Sequence, residues 1–198
     1  MIDDILTVAW KEWKELLSWR SYGGRSRGGL SILIMLAVFG VVLPLQAGID
    51  WVTSPLVLLS WAYMPLLLVS SVIAQAFAGE RERHTLETLL STRLSDRAIL
   101  LGKMVASVGY GWGLTMLSLA VGLITTNIAS GGSDLVFYPP EMALGGTVLI
   151  LLVASTVAAA GTLVSLHAST VRQAQQTLSV ANLVLVFGSI YGIRALPV

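Results

Sequence analysis

Residues 77–103 read Phe-Ala-Gly-Glu-Arg-Glu-Arg-His-Thr-Leu-Glu-Thr-Leu-Leu-Ser-Thr-Arg-Leu-Ser-Asp-Arg-Ala-Ile-Leu-Leu-Gly-Lys, a dense group of chargeable side chains between two long apolar runs. Leu86, Leu89, Leu90, Leu94 and Leu101 recur at helical spacing, while Glu82, Arg83, Glu87, Ser91 and Asp96 lie mostly off that stripe. The chemistry such a pattern supports is non-covalent: an apolar ridge with a polar rim is shaped to enter a groove on another protein. Leu86, Leu89 and Leu90 are the expected packing contacts, and Glu80, Arg83, Glu87 and Arg97 the expected charged partners or intrahelical braces. Arg83 and Glu87 alone form an i,i+4 pair of the ordinary surface kind, worth a few tenths of a kcal/mol.

Covalent and metal chemistry find little support. His84 and His167 stand apart, without companion ligands at metal spacing, and there is no cysteine. No glycine-rich phosphate loop and no serine-nucleophile arrangement occurs. The chain is therefore expected to be neither an ATPase nor a hydrolase, and to hold no cofactor of its own.

The elements that must position the ridge are membrane helices. Hydrophobic residues make up 55% of the chain and charged residues 12%, with a mean hydropathy of +0.80. A soluble domain cannot hide that much apolar surface. Five apolar runs, 30–47, 55–78, 104–128, 142–166 and 178–193, meet or approach the ~20 residues a bilayer core requires. The expected fold is all-α and polytopic. The segment 79–103 lies between the second and third runs. With the N-terminus cytoplasmic, every basic residue except Arg194 falls on the inside, which fixes the orientation by the positive-inside rule.

Ahead of the first run, Ile2, Ile5, Leu6, Ala9, Trp13 and Leu16 share one helical face, with Asp3, Asp4, Lys11, Glu12, Lys14 and Glu15 largely opposite. Trp10, Trp13 and Trp19 favour the headgroup boundary. Residues 1–29 are thus expected to be an interfacial amphipathic helix and a basic bend, and residues 30–198 a transmembrane domain. Gly109 and Gly113 lie four apart on one face and predict close approach of another helix, within this chain or from a second subunit. Pro44 and Pro65 can kink their spans. Asn182 and Gln75, the amides within the apolar runs, predict interhelical hydrogen bonds. No carboxylate or basic side chain lies deep in a run, which argues against an ion-coupled carrier. The one sizeable outer loop places Phe137 and Tyr138 at the outer interface.

With these residues in place, the chain resembles the permease subunits of ABC transporters of the type-2 exporter class. Three features carry the resemblance: the elbow helix, the Glu80–Glu87 stretch followed by Leu89-Leu90, Arg97 and Gly102-Lys103, and the spacing of the runs. His84 stands where that family commonly has glycine, and Arg93 where proline is frequent. Neither substitution is expected to break the amphipathic helix, since glycine and proline are the poorer helix formers. The family usually has six spans, and five are legible here.

The resemblance implies a multi-pass permease in the cytoplasmic membrane of a prokaryote, coupled to export. It implies that the inside segment docks on a separate ATP-binding subunit, which holds the ATP and magnesium, and that two permease subunits, identical or related, pair. The competing reading is a non-transporting membrane scaffold or mechanotransmission subunit that uses the same ridge for another cytosolic protein. Nucleic acid is not an expected partner, for want of a basic stripe outside the membrane-flanking segments.

Overall fold

The computed structural model describes residues 2–17, 27–84, 94–131 and 135–195. All regular structure among them is helical: α1 (Ile2–Leu17), α2 (Arg27–Ala37), a π-helical turn (Val38–Val42), α3 (Leu43–Ala47), α4 (Asp50–Thr53), α5 (Val57–Glu82), α6 (Asp96–Ser130), α7 (Pro140–His167) and α8 (Val171–Ala195). Three of these helices, α5, α6 and α7, are long and apolar enough to cross a membrane. That is fewer than the five expected from the sequence. The first expected run yields a shorter apolar helix, Ile32–Ala47. The last, 178–193, falls within α8, whose first turns ahead of it carry Arg172, Gln173, Gln175 and Gln176.

The bends have local causes. Pro44 has no N–H to return to Gly40, four residues earlier. The Leu43 amide bonds instead to Val38 O, five residues back, and the turn widens to π. The freed Gly40 carbonyl is taken by Thr125 Oγ1 of α6 at 2.9 Å. Pro65 leaves no comparable break, and α5 continues past it to Glu82.

Helix α5 is the spine of the molecule. Its apolar side chains contribute to three buried clusters. One joins Ile73, Phe77, Ala174 and Leu178; one centres on Trp51, Trp61, Leu119, Met142 and Ile150; the third unites Leu66 and Val69 with Ala154, Val157 and Ala158. Small residues set the helix spacing. A Cβ at Gly111 of α6 would meet Val69, and one at Gly161 of α7 would meet Ile73. Polar contacts are few. Ser165 Oγ of α7 accepts from the Phe77 and Ala78 amides and donates to Ala74 O. Asn182 of α8 donates to Ser70 Oγ at 2.9 Å, the interhelical bond its position predicts.

Gly109 and Gly113 do not share a partner. A Cβ at Gly109 would come 2.7 Å from Trp13 of α1, whereas nothing lies within 4 Å of one at Gly113. Within the described chain, the close approach is therefore made at Gly109 alone, by the N-terminal helix.

Candidate coupling site

The segment expected as one amphipathic helix is divided. Helix α5 ends at Glu82, Arg83 caps it, and His84 takes φ +55°. That left-handed conformation suits glycine, because any Cβ crowds the following carbonyl there. His84 thus sits outside the helix, at a position where glycine would be at ease. Helix α6 starts afresh after Ser95, whose extended backbone (ψ 145°) and side-chain bond from the Ala98 amide form an N-cap. Leu94 precedes that cap and Leu101 follows it, so these two leucines are not on a single continuous helix. Arg97 is exposed in the first turn of α6, and Arg83 is exposed at the end of α5. Leu86, Glu87, Leu89 and Leu90 lie outside the described residues.

What the structure brings together is the last turn of α5. Three consecutive side chains there each reach a different element. Glu80 Oε1 lies 3.4 Å from Lys103 Nζ of α6 and 4.0 Å from Lys11 Nζ of α1. Arg81 donates through its guanidinium to the carbonyls of Ala168 and Leu166, capping the end of α7. Glu82 Oε1 accepts from the Val171 amide at 2.9 Å, capping the start of α8. Consecutive helical residues point about 100° apart, so one turn can serve three neighbours.

Lys103 is the centre of the charged group. Its side chain is 1% exposed, and its ammonium donates to Glu12 Oε1 at 2.8 Å, with the Phe77 ring 5.7 Å away. Lys11 lies 3.4 Å from Glu12 and 3.0 Å from Glu15. Burial draws the Lys11 ammonium's pKa down, but Glu15, Glu12 and Glu80 together outweigh it and hold it above its ordinary value. The helix before the spans is thus docked by charge as well as by shape: a Cβ at Gly102 would come 2.6 Å from Val8 Cβ. The Gly102-Lys103 pair serves α1 with both residues, the glycine by making room and the lysine by pairing.

Sequence reasoning placed Lys103 at the end of the 79–103 segment and Glu12 on the face of α1 opposite its apolar residues. It named Glu82 only as lying off the leucine stripe and gave Arg81 no role of its own. One signal was available for Lys103: a lysine abutting a long apolar run needs a carboxylate partner when its helix is packed. Nothing in the local sequence says which carboxylate, because Glu12 is remote along the chain.

The geometry defines an all-helical, multi-pass membrane protein whose helix ends at one side are cross-tied by charge. The chain belongs to the ABC-2 transporter family: residues 64–198 match the model described as ABC-2 family transporter protein. It is 28% identical over 138 residues to the ABC transporter permease protein NatB of Bacillus subtilis (strain 168), across 64% of this chain and 36% of NatB. The chain therefore spans well under half the length of that relative. No solved structure matches it. Among the described residues, no three His, Asp or Glu side chains gather as a metal site would require.

Proposed function

We propose that this chain is the membrane-spanning permease subunit of an ATP-driven exporter, and that the segment 79–103 docks on a separate ATP-hydrolysing subunit. The observation that carries the reading is the placement of the cross-tied turn. The turn that holds the ends of α6, α7 and α8 leads directly into the leucine ridge at 86–90. A push on that ridge reaches one helix turn that is already bonded to its neighbours. The family, and the permease description of NatB, support the same assignment.

In this reading ATP and magnesium belong to the partner, and two permease subunits pair. Lys11, Arg81, Arg83, Arg97, Lys103 and Arg172 all lie at the Glu80 end of the helices, which supports a cytoplasmic N-terminus and the membrane of a prokaryotic cell. Helix α1 lies in the cytoplasmic interface. Val8 and Ala9 are buried against the protein, while Ile2, Leu6 and Trp10 present an exposed apolar strip to the headgroup region. The helices Ile32–Ala47 and Val171–Ala195 complete the bundle within the bilayer, with Leu33, Ile34, Leu183 and Phe187 exposed along their flanks.

The test is capture of an ABC-type ATP-binding subunit on purification in mild detergent from the native host. Wild type is expected to bring it down, and the Leu86→Glu/Leu89→Glu variant to lose it. Undiminished capture by the variant would remove the ridge from the docking surface. Recovery of a different cytosolic protein in its place would make the chain a scaffold.

A further inference from the structure

We propose that Lys103 is a positioning residue. Its buried ammonium, shared between Glu12 of α1 and Glu80 of α5, docks α1 on α6 and joins both to the turn whose next two residues hold α7 and α8, so that the four helices are displaced together when that turn moves. The consequence for transport rests on the function proposed above. The docking of α1 does not.

Shape holds α1 through two close contacts, Val8 at Gly102 and Trp13 at Gly109, with Ala9 buried beside them. Ile2, Leu6 and Trp10 face away. Apolar contact is non-directional, whereas charge-assisted bonds fix geometry. The ion pairs supply the register. Among the described residues, the charged groups paired with Lys103 come from α1 and α5: Glu12 at 2.8 Å and Glu80 at 3.4 Å, with Lys11 and Glu15 one step further out. Two of these carboxylates meet one desolvated ammonium, a geometry that no sliding of α1 along α6 preserves.

The neighbouring ties are of a different kind. Arg81 and Glu82 bind backbone, namely the last carbonyls of α7 and the first amide of α8. They depend on where helix ends lie, not on which side chains those helices carry. The charged tie of α1 runs mainly through Lys103, with Lys11 of α1 adding a longer contact to Glu80 at 4.0 Å. Changing that residue should release α1 and leave the other helices bonded to α5.

Hydrogen exchange of the full chain in detergent micelles reads this without any partner. In Lys103→Met, exchange of α1 amides is expected to rise on the order of tenfold or more, since the partly buried Glu12 and Glu80 carboxylates lose the cation between them. Exchange in the first turn of α8 should stay at the wild-type rate. Glu82→Ala, which removes the acceptor, should do the converse, raising exchange at the start of α8 alone. A triple variant, Glu12→Gln/Glu80→Gln/Lys103→Met, removes the charges without leaving any unpaired, so it keeps the test open if Lys103→Met does not fold. It is expected to melt near wild type while α1 still exchanges faster than in wild type. Wild-type exchange at α1 in either variant would overturn the proposal, because apolar packing would then suffice.

A second arm uses the complex with the captured ATP-binding subunit. Adding ATP and magnesium to wild type is expected to alter exchange at α1 and at the start of α8 together. In the triple variant only α8 should respond. A concerted response in the triple variant would overturn the role of Lys103. Failure of wild type to capture an ATP-binding subunit would sink the proposed function alone and leave the exchange results standing.

Discussion

The two ends of the bundle are held by different physics. At the Glu80 end a few directional contacts act between helix termini: two carboxylates on Lys103, a guanidinium on two carbonyls, a carboxylate on an amide. At the opposite end large rings fill the space beside glycines. Trp61 stacks edge-on against Tyr138 with centroids 5.0 Å apart, and a Cβ on Gly146 would come 2.6 Å from its ring. The loop before α7 is pinned there by Asn127, which both donates to Val136 O and accepts from its amide. Packed rings are held from all sides by many short contacts, whereas the charged end rests on a few directional bonds between helix termini, each of which one substitution can remove.

The comparison is broken most forcefully by removing the largest ring. Trp61 is 2% exposed, and Trp61→Ala should lower stability by about 3–5 kcal/mol, read from the denaturation midpoint in detergent. The effect should be confined to folding. If Trp61→Ala instead loosened α1 by hydrogen exchange, the two ends would be one cooperative unit and the contrast would fail. Next in size is Gly122→Ala. The added Cβ would come 2.7 Å from Trp51 Nε1 and 3.2 Å from Pro44 Cγ, so the ring or the π turn must shift. Overpacking of this kind costs about 1–3 kcal/mol. A neutral result would mean that the Trp51 end yields as readily as the charged one.

How much of this was legible in the sequence follows the same divide. The helical class, α5, α6 and α7 could be read because long apolar runs have only one solution in a bilayer. The amphipathic face of α1 was legible too, as periodicity is local. Among the described residues three helices are long and apolar enough to cross, against five expected runs, and apolar length alone does not show that the first run is interrupted by the π turn before Pro44. Gly109 and Gly113 share a face, but spacing does not reveal that Trp13 seats on one of them only. The charged cluster was hidden for a similar reason. Glu12, Glu80 and Lys103 are far apart along the chain, and only the packing of α1 on α6 brings them within bonding distance. Local patterns show what a residue wants, and tertiary packing decides which partner it obtains.

Alkaline titration gives a subtler handle on the ring-packed end. Burial pushes the Tyr138 phenol up to about 12, and its hydroxyl donates to Leu119 O at 3.1 Å. A free phenol ionises near pH 10. Between roughly pH 10 and 12 the unfolded chain therefore loses this proton first, and stability falls as pH rises through that window. Below pH 10 Tyr138 contributes no slope. Subtracting the melting temperatures of Tyr138→Phe from those of wild type, between pH 8 and 11, should leave a difference that is flat at first and then declines. A flat difference throughout would mean that the phenol is hydrated in the folded state.

The smallest expected effect lies at the hinge between α5 and the ridge. His84 holds φ +55° on an exposed turn, with its amide bonded to Arg81 O at 3.1 Å. A non-glycine residue in that conformation carries about 1–2 kcal/mol of strain. Glycine removes the strain but has more freedom to lose on folding, about 0.5–1 kcal/mol. His84→Gly should thus be neutral to stabilising by up to about 1 kcal/mol in the denaturation midpoint, where most substitutions destabilise. The sign matters more than the size. If His84→Gly destabilised the protein, the imidazole would be making a contact worth more than the strain. The end of α5 would then be fixed by a side chain beyond Glu82, and the link from the cross-tied turn to the ridge would be stiffer than its backbone bonds alone imply.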